Sequence, residues 1–231
     1  MKKCLPLLLL LCAGGLLSAG EGAHALVFSL TANDGRGIDL YRTATSLEYS
    51  YDSPRLTARS GVQSASKITD FTLQAAYFPV IFKKMCLGAG ALYHYGDMGF
   101  AREQDFYTGL YVRFRPVRFF NMGADVSFTL KITRIPALPK DHQEFTDRGI
   151  AVAFRFSSDI TSRIRVEFDI SSYDLYRHSL FLNPLFALTG TYVFRNRCFA
   201  AFTLAAQYSD LFTLTSYLGS AFIRPAIGII L

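Results

Sequence analysis

The sequence lacks any long apolar run after residue 17. A membrane-spanning helix needs roughly 18 consecutive apolar residues, so a helical membrane protein is not expected. Tryptophan is absent and histidine occurs only 4 times, which leaves few bases for catalysis. Although the net charge is +6, the sequence has no five-residue basic run. We therefore expect no binding to nucleic acid.

The first residues have the composition of an export signal. Met1, Lys2 and Lys3 precede a leucine-rich run at 5–17, and the Ala-His-Ala triplet at 23–25 has small residues where a signal peptidase reads them. We predict a signal peptide over 1–25 and a mature domain over 26–231.

Cysteine usage offers one alternative for this segment. A lipoprotein anchored through Cys12 is less favoured, because Leu11 occupies the position where lipoprotein processing requires a small residue. After cleavage only Cys86 and Cys198 remain, on strands that are not expected to be neighbours. In the expected strands the side chains of the two cysteines point to opposite faces of the sheet, so no disulfide is expected.

Residues 164–170 alternate strictly between large apolar and charged side chains. Successive side chains of a strand point to opposite faces. Arg165, Glu167 and Asp169 therefore share a polar face, and the intervening apolar residues share the other. The pattern recurs along the chain in long runs and accompanies an aromatic content of 15%. This combination is typical of a β-barrel that spans an outer membrane.

Four short turns flanked by Arg or Lys, at 79–84, 115–118, 158–162 and 195–197, predict the strand number. If both termini are periplasmic, four such turns imply ten strands; eight strands is the alternative. The expected strands are 38–51, 68–78, 85–95, 105–115, 118–132, 148–157, 163–175, 181–194, 198–208 and 215–231. Residues 26–37 are left open as an extra strand, a small plug or a periplasmic tail.

Charged residues of inward parity are the candidate site. They are Arg42, Glu48, Asp105, Arg113, Asp125, Lys131, Arg155, Arg165, Glu167, Asp169 and Arg224. One interpretation is that they pair and plug the lumen, since barrels of about eight strands are just wide enough for side chains to fill. The other is a narrow polar channel, or a lateral route for a hydrophobic solute. Glycines of the same parity, Gly88, Gly90, Gly109 and Gly123, are expected to ease strand curvature rather than to make room.

The C-terminal residues resemble the terminal strand by which outer-membrane barrels are recognised for assembly. Ile223, Ile227, Ile229 and Leu231 alternate to the end, although Pro225 lies in their row and the last residue is not aromatic. The mature chain resembles the small bacterial outer-membrane β-barrels, including OmpW-like hydrophobic-solute channels and small spirochaete barrels. The resemblance implies an all-β, transmembrane, antiparallel up-and-down barrel. It also implies the barrel assembly machinery and outer-membrane lipids as partners.

Neither an enzyme nor a metal or cofactor site is predicted. A barrel protease needs an acid and a base that converge on a water molecule, whereas Asp141–His142 and His178–Ser179 are only sequence neighbours. The histidines lack zinc-site spacing.

The sequence therefore predicts a narrow porin or channel for passive uptake of small or hydrophobic solutes. The alternative is a non-conducting surface barrel with interaction, adhesion or structural roles. In that alternative an extracellular ligand binds the loops 52–67 and 134–147. Basic residues at the short-turn end, including Lys83, Lys84, Arg115 and Arg118, are expected to meet anionic headgroups.

Overall fold

Twelve antiparallel strands form a closed barrel in a computed structural model that describes residues 22–33, 43–65, 69–172, 185–194, 197–208 and 218–231. Strand order around the barrel follows chain order, and β12 closes the ring by pairing with β1. The strands are β1 Ala23–Asn33, β2 Thr43–Asp52, β3 Leu56–Ser64, β4 Thr69–Phe82, β5 Met85–Asp97, β6 Arg102–Val117, β7 Phe120–Arg134, β8 Glu144–Asp159, β9 Ile164–Ser171, β10 Leu185–Val193, β11 Cys198–Tyr208 and β12 Leu218–Ile230.

The connections define two ends of the barrel. Residues 53–55, 83–84, 118–119 and 160–163 connect strands at what we call the turn end, where β10 also ends and β11 begins. Both ends of the barrel domain meet there, because the Leu231 amide donates to the His24 carbonyl over 3.0 Å. The opposite, loop end includes residues 135–143, with a short 3₁₀ turn at Lys140–His142. Among the residues described, no helix is long and apolar enough to cross a membrane.

The all-β, antiparallel up-and-down barrel is confirmed, but the predicted strand number of ten, or eight, is wrong. The two strands that the prediction lacked are β1 and β3. Residues 53–55 form a fifth short turn, so the expected extracellular loop 52–67 is instead that turn followed by β3. The row Leu56, Ala58, Ser60 and Val62 contains small residues, and this weakens its alternation with polar neighbours. The other expected loop, 134–147, is shorter because β7 and β8 extend into it.

β1 occupies the segment whose structure the sequence left open. Its residues Ala23, His24 and Ala25 pair with Asp52, Tyr51 and Ser50 of β2. Residues 1–21 lie outside the described part of the chain. A cleavage directly after Ala25 would shorten β1 by three residues at the turn end.

The two faces of the sheet differ sharply. Exposed apolar side chains cover the outer face, including Phe28, Leu110, Val126, Phe128, Ile150 and Ile227. Buried polar side chains occupy the inner face, including Ser29, Asp70, His94, Asp105, Asp125, Ser127 and Lys131. Because a strand has a side-chain period of two, a one-residue slip in register would exchange these sets. The sorting therefore excludes one-residue slips in the register of each pair.

Two inner-face glycines lie where neighbouring strands approach closely. A Cβ atom at Gly109 would lie 2.2 Å from the carbonyl oxygen of Val126 and 2.3 Å from Ser127 Oγ. A Cβ atom at Gly88 would lie 2.2 Å from the Tyr77 carbonyl oxygen and 2.8 Å from the Phe78 ring. These glycines permit tight local packing of β4–β7, and the space that a side chain would occupy is already filled.

Candidate functional site

The strand register puts the predicted charged residues that are described on one face. The β8 residue Arg155 faces Gly123 of β7 and Asp169 of β9, and Asp169 in turn faces Ala187 of β10. Residues that stand opposite each other on neighbouring strands point to the same face. The strand pairings around the ring therefore place the following residues on the inner face: Glu48, Asp105, Arg113, Asp125, Lys131, Arg155, Arg165, Glu167, Asp169 and Arg224. Arg42 lies outside the described residues.

Ion pairs join several of these residues along the β7–β9 wall. The Arg155 guanidinium lies 3.4 Å from Asp125 Oδ2 and 3.9 Å from Asp169 Oδ1. Arg165 donates from Nε to Asp159 Oδ1 over 2.7 Å. Each arginine is therefore held against an acid of its own or a neighbouring strand.

Charges on opposite walls face the same lumen. β3 and β9 lie half-way around the ring from each other, and Arg59 of β3 and Asp169 of β9 are both on the inner face. Asp52, at the end of β2, and Arg165 of β9 are on that face as well. We call this region the lumen constriction; it comprises Asp52, Arg59, Arg113, Arg155, Arg165 and Asp169.

Arg113 connects the constriction to the β2–β3 turn. Its guanidinium donates to Asp52 Oδ1 over 3.2 Å and to the Ser53 carbonyl oxygen over 3.5 Å. The same group lies 4.2 Å from the centroid of the Phe78 ring, a cation–π contact. Phe78 in turn packs over Gly88, where a side chain would clash. An aromatic platform on β4 thus directs an arginine of β6 towards the turn.

Side chains of the constriction are accessible to water despite being inside a closed barrel. The fractional exposure is 36% for Arg113, 43% for Arg155, 49% for Arg165 and 67% for Asp52. Barrel diameter grows with strand number, and eight strands suffice only for an interior that side chains fill. Twelve strands enclose a wider interior than eight, and among the described residues these charges line it.

A second group of charges is buried near the loop end of β4–β7. His94, with 0% exposure, contacts Asp105 Oδ2 through Nδ1 at 3.0 Å and lies 3.8 Å from Asp70 Oδ1 through Nε2. Lys131 pairs with Glu103 beside them. The absence of a side chain at Gly96 leaves the space in which Asp70 and His94 meet. This cluster ties four neighbouring strands together.

Sequence analysis missed Asp52, Arg59, Asp70 and Glu103 as members of these groups. Asp52 and Arg59 were assigned to a loop, because β3 was not recognised. Asp70 had a usable signal, since it shares parity with Thr72 and Gln74 in an alternating run. The contact between His94 and Asp105 depends on the β5–β6 register, which the sequence does not specify.

Among the described residues, the acid–histidine pairs do not form an accessible catalytic site. His94 and Asp105 form an acid–histidine couple, but its full burial keeps substrate away. Asp141 and His142 are exposed in the 3₁₀ turn, and Asp174, His178 and Ser179 lie outside the described residues. Within the described ranges, no group of three or more His, Cys, Asp or Glu side chains is placed to hold a metal ion.

Comparisons with known proteins find similar solved structures but no match by sequence. The sequence matches no protein-family model and no curated protein. The NanC porin superposes with a TM-score of 0.62 at 10% identity, over 89% of this chain and 100% of that one. The KdgM porin, solved in complex with disordered oligogalacturonate, gives 0.59 at 10% identity, over 89% and 98%.

A third neighbour is not called a porin. The translocator domain of the autotransporter NalP from Neisseria meningitidis gives a TM-score of 0.55 at 10% identity, over 94% of this chain and 91% of that one. Identities this low establish the fold alone. The chain therefore has the barrel fold of outer-membrane porins and translocators, and the OmpW-like resemblance is not specifically supported.

Proposed function

We propose that this barrel is an outer-membrane channel for passive permeation of small polar solutes. The observation that carries the proposal is the lumen constriction, where charges of both signs lie on the inner face while their side chains stay accessible to water. A plugged interior would instead bury them in complete ion pairs. The fold shared with the KdgM and NanC porins supports the same reading.

Chemistry of the constriction favours small hydrophilic solutes. Arginines alternate there with carboxylates, so a permeating molecule exchanges its hydration shell for polar groups of both signs. The KdgM porin was solved with an acidic saccharide, and a small polar saccharide or amino acid fits the present lumen chemistry.

Liposome swelling tests this proposal directly. Mature protein is reconstituted into liposomes, which are then diluted into isotonic arabinose, glucose, sucrose or raffinose. We expect swelling with the smallest sugars and a steep decline with solute size. Liposomes containing heat-denatured protein are the control. No swelling with any solute, by protein whose barrel is folded, would contradict a channel and favour the non-conducting surface barrel.

A lateral route for a hydrophobic solute is a second candidate with its own observation. An apolar hollow of about 550 Å³ lies among β9–β12 and β1. It is lined by side chains of both faces, including Phe168, Phe186, Leu188, Leu204, Phe222 and several alanines. Uptake of a fluorescent fatty acid by the same liposomes distinguishes this route, since the polar channel predicts none.

Export and assembly form part of the proposal. Residues 1–25 act as the signal peptide, and the alternating C-terminal strand is the segment recognised by the barrel assembly machinery. The intact mass of the mature protein identifies the cleavage site. A mass that corresponds to a start at Leu26 supports it, and one that retains Ala23–Ala25 would place cleavage upstream.

A further inference from the structure

Two neighbouring hairpins at the turn end are built alike. β4 and β6 each contain a bulge at a proline that is followed by valine: Pro79 in β4 and Pro116 in β6. Proline donates no backbone hydrogen bond, so it suits a position where the ladder is interrupted. The Arg115 amide donates to the Lys84 carbonyl over 2.7 Å, which joins the two hairpins beyond the β6 bulge.

These hairpins bring four basic side chains together. Because they belong to two adjacent hairpin turns, we call Lys83, Lys84, Arg115 and Arg118 the cationic turn pair. Together with Pro116 and Val117, these residues line an open hollow of about 470 Å³. Lys84 Nζ donates to the Pro116 carbonyl over 2.5 Å, and Arg115 donates to the Arg118 carbonyl over 2.5 Å. Two of the four cations are thus fixed in place by backbone carbonyls.

The positive charge of this hollow is not neutralised by neighbouring acids. Of the ion pairs found among the described residues, none includes a member of the cationic turn pair.

Lys83 has φ of 44°, a conformation that short hairpin turns normally assign to Asn or Gly. A strained lysine persists there only if the surroundings enforce it, and strain of this kind concentrates at functional sites.

The surface next to the hollow is apolar and exposed. Phe82 is 63% exposed and Phe119 is 59% exposed, and Val80 and Val117 are also exposed. Lys83 Nζ lies 5.9 Å from the centroid of the Phe82 ring. Aromatic rings beside basic residues are typical of the level where acyl chains meet lipid headgroups. A ligand of this surface therefore combines an anionic group with a hydrocarbon chain.

We propose that the cationic turn pair binds the phosphate group of an anionic phospholipid whose acyl chains lie along the outer face of β4–β7. Arginine and lysine form charge-assisted hydrogen bonds to phosphate oxygens. Their attraction to an anionic lipid surface strengthens binding further. The exposed Phe82 and Phe119 rings contact the upper part of the chains. This site is independent of whether the lumen conducts.

The test measures lipid-dependent thermal stability of the refolded mature protein in a neutral detergent. Dioleoylphosphatidylglycerol, dioleoylphosphatidylcholine and sodium phosphate are titrated separately, and the unfolding midpoint is followed by circular dichroism. We expect the midpoint to rise with phosphatidylglycerol and to change little with phosphatidylcholine or phosphate. An equal response to both lipids would overturn recognition of charge. A full response to inorganic phosphate alone would overturn the assignment to a lipid.

The informative variant is Lys83→Gln combined with Arg118→Gln, because it spares the side chains of Lys84 and Arg115, which hold the two hairpins. Its matched control is Arg163→Gln combined with Arg197→Gln, which removes two cations from other turns at the same end. Arg197 also has a positive φ, of 63°. We expect the first variant to weaken phosphatidylglycerol affinity roughly fivefold per cation removed and the control to leave it unchanged. Equal losses in both variants would reduce the site to a non-specific basic rim and contradict the proposal.

Discussion

Arg113 is the residue that connects the lumen constriction to the β2–β3 turn. Its contacts with Asp52, Ser53 and the Phe78 ring hold the β2–β3 turn in position. Asp52 is thereby held on the inner face, across the lumen from Arg165. We expect Arg113→Gln to release the turn and to raise single-channel conductance. Asp52 also loses its neutralising partner, so preference for cations, measured as a reversal potential, increases.

The stability of this variant should change little, because a partly exposed ion pair contributes about 1 kcal/mol or less. The control is Arg148→Gln, which removes an exposed arginine from the outer face of β8. A second readout is the reactivity of Cys86, the inner-face partner of Arg113, towards a water-soluble maleimide in a Cys198→Ser background. Conductance and labelling both equal to the parent protein would refute the positioning role.

His94 is a residue whose environment predicts a stability effect and no effect on permeation. Its imidazole contacts two buried carboxylates, Asp105 and Asp70. We expect His94→Leu to lower the free energy of unfolding by roughly 1–3 kcal/mol, since a buried acceptor loses its donor. Denaturant unfolding followed by tyrosine fluorescence measures the loss. His142→Leu, in the exposed 3₁₀ turn, should stay within about 0.5 kcal/mol of the parent, and an equal effect of both changes would contradict the cluster's role.

At the level of strands, β1 is one of the two strands missing from the predicted ten, and it closes the ring by pairing with β2 and β12. Phe28 lies on its outer face and pairs with Leu47 of β2 and Ile227 of β12. In a membrane-embedded strand, an arginine on the lipid face near mid-bilayer costs about 2–4 kcal/mol. We expect Phe28→Arg to destabilise the folded protein in liposomes by that amount and Phe28→Leu to be tolerated. Near-neutral behaviour of the arginine variant would mean that this segment lies outside the barrel.

Strands were predictable from the sequence where their two faces differ strongly in chemistry. β7 and β9 alternate large apolar with polar side chains, so their parity was evident and their registers were constrained. β3 places Ala58 and Ser60 on its outer row, and its preceding turn contains Pro54, which together resemble a polar loop. β1 adjoins the predicted signal peptide, in which apolar residues are expected anyway. Both strands were missed because their local composition is also typical of another structure: a polar loop for β3 and a signal peptide for β1.

Contacts between strands were less predictable than the strands themselves. Parity assigns a side chain to a face, but it does not say which residue stands opposite. The contact of Asp52 with Arg113 depends on the unrecognised turn. The plug interpretation was kept because eight or ten strands were expected. Twelve strands change that balance, because barrel width grows with strand number.

At the scale of the whole molecule, charge is distributed unevenly along the barrel. Uncompensated basic residues gather at the turn end, whereas a cluster rich in carboxylates is buried near the loop end. The lumen constriction, in which both signs are present and accessible to water, lies beside the turn end, because Asp52 adjoins the 53–55 turn and Arg165 follows the 160–163 turn. This arrangement suits a channel that is anchored in one lipid leaflet and selects solutes at the same end.

Single-channel recording in a planar bilayer tests the water-filled lumen most directly. The mature protein is refolded in detergent, checked for β structure by circular dichroism and inserted at fixed voltage in potassium chloride. We predict reproducible conductance steps whose reversal potential in a salt gradient shifts when Arg155→Gln removes the positive charge beside Asp125 and Asp169. A folded and inserted protein that stays electrically silent would contradict the open lumen and the account built on it.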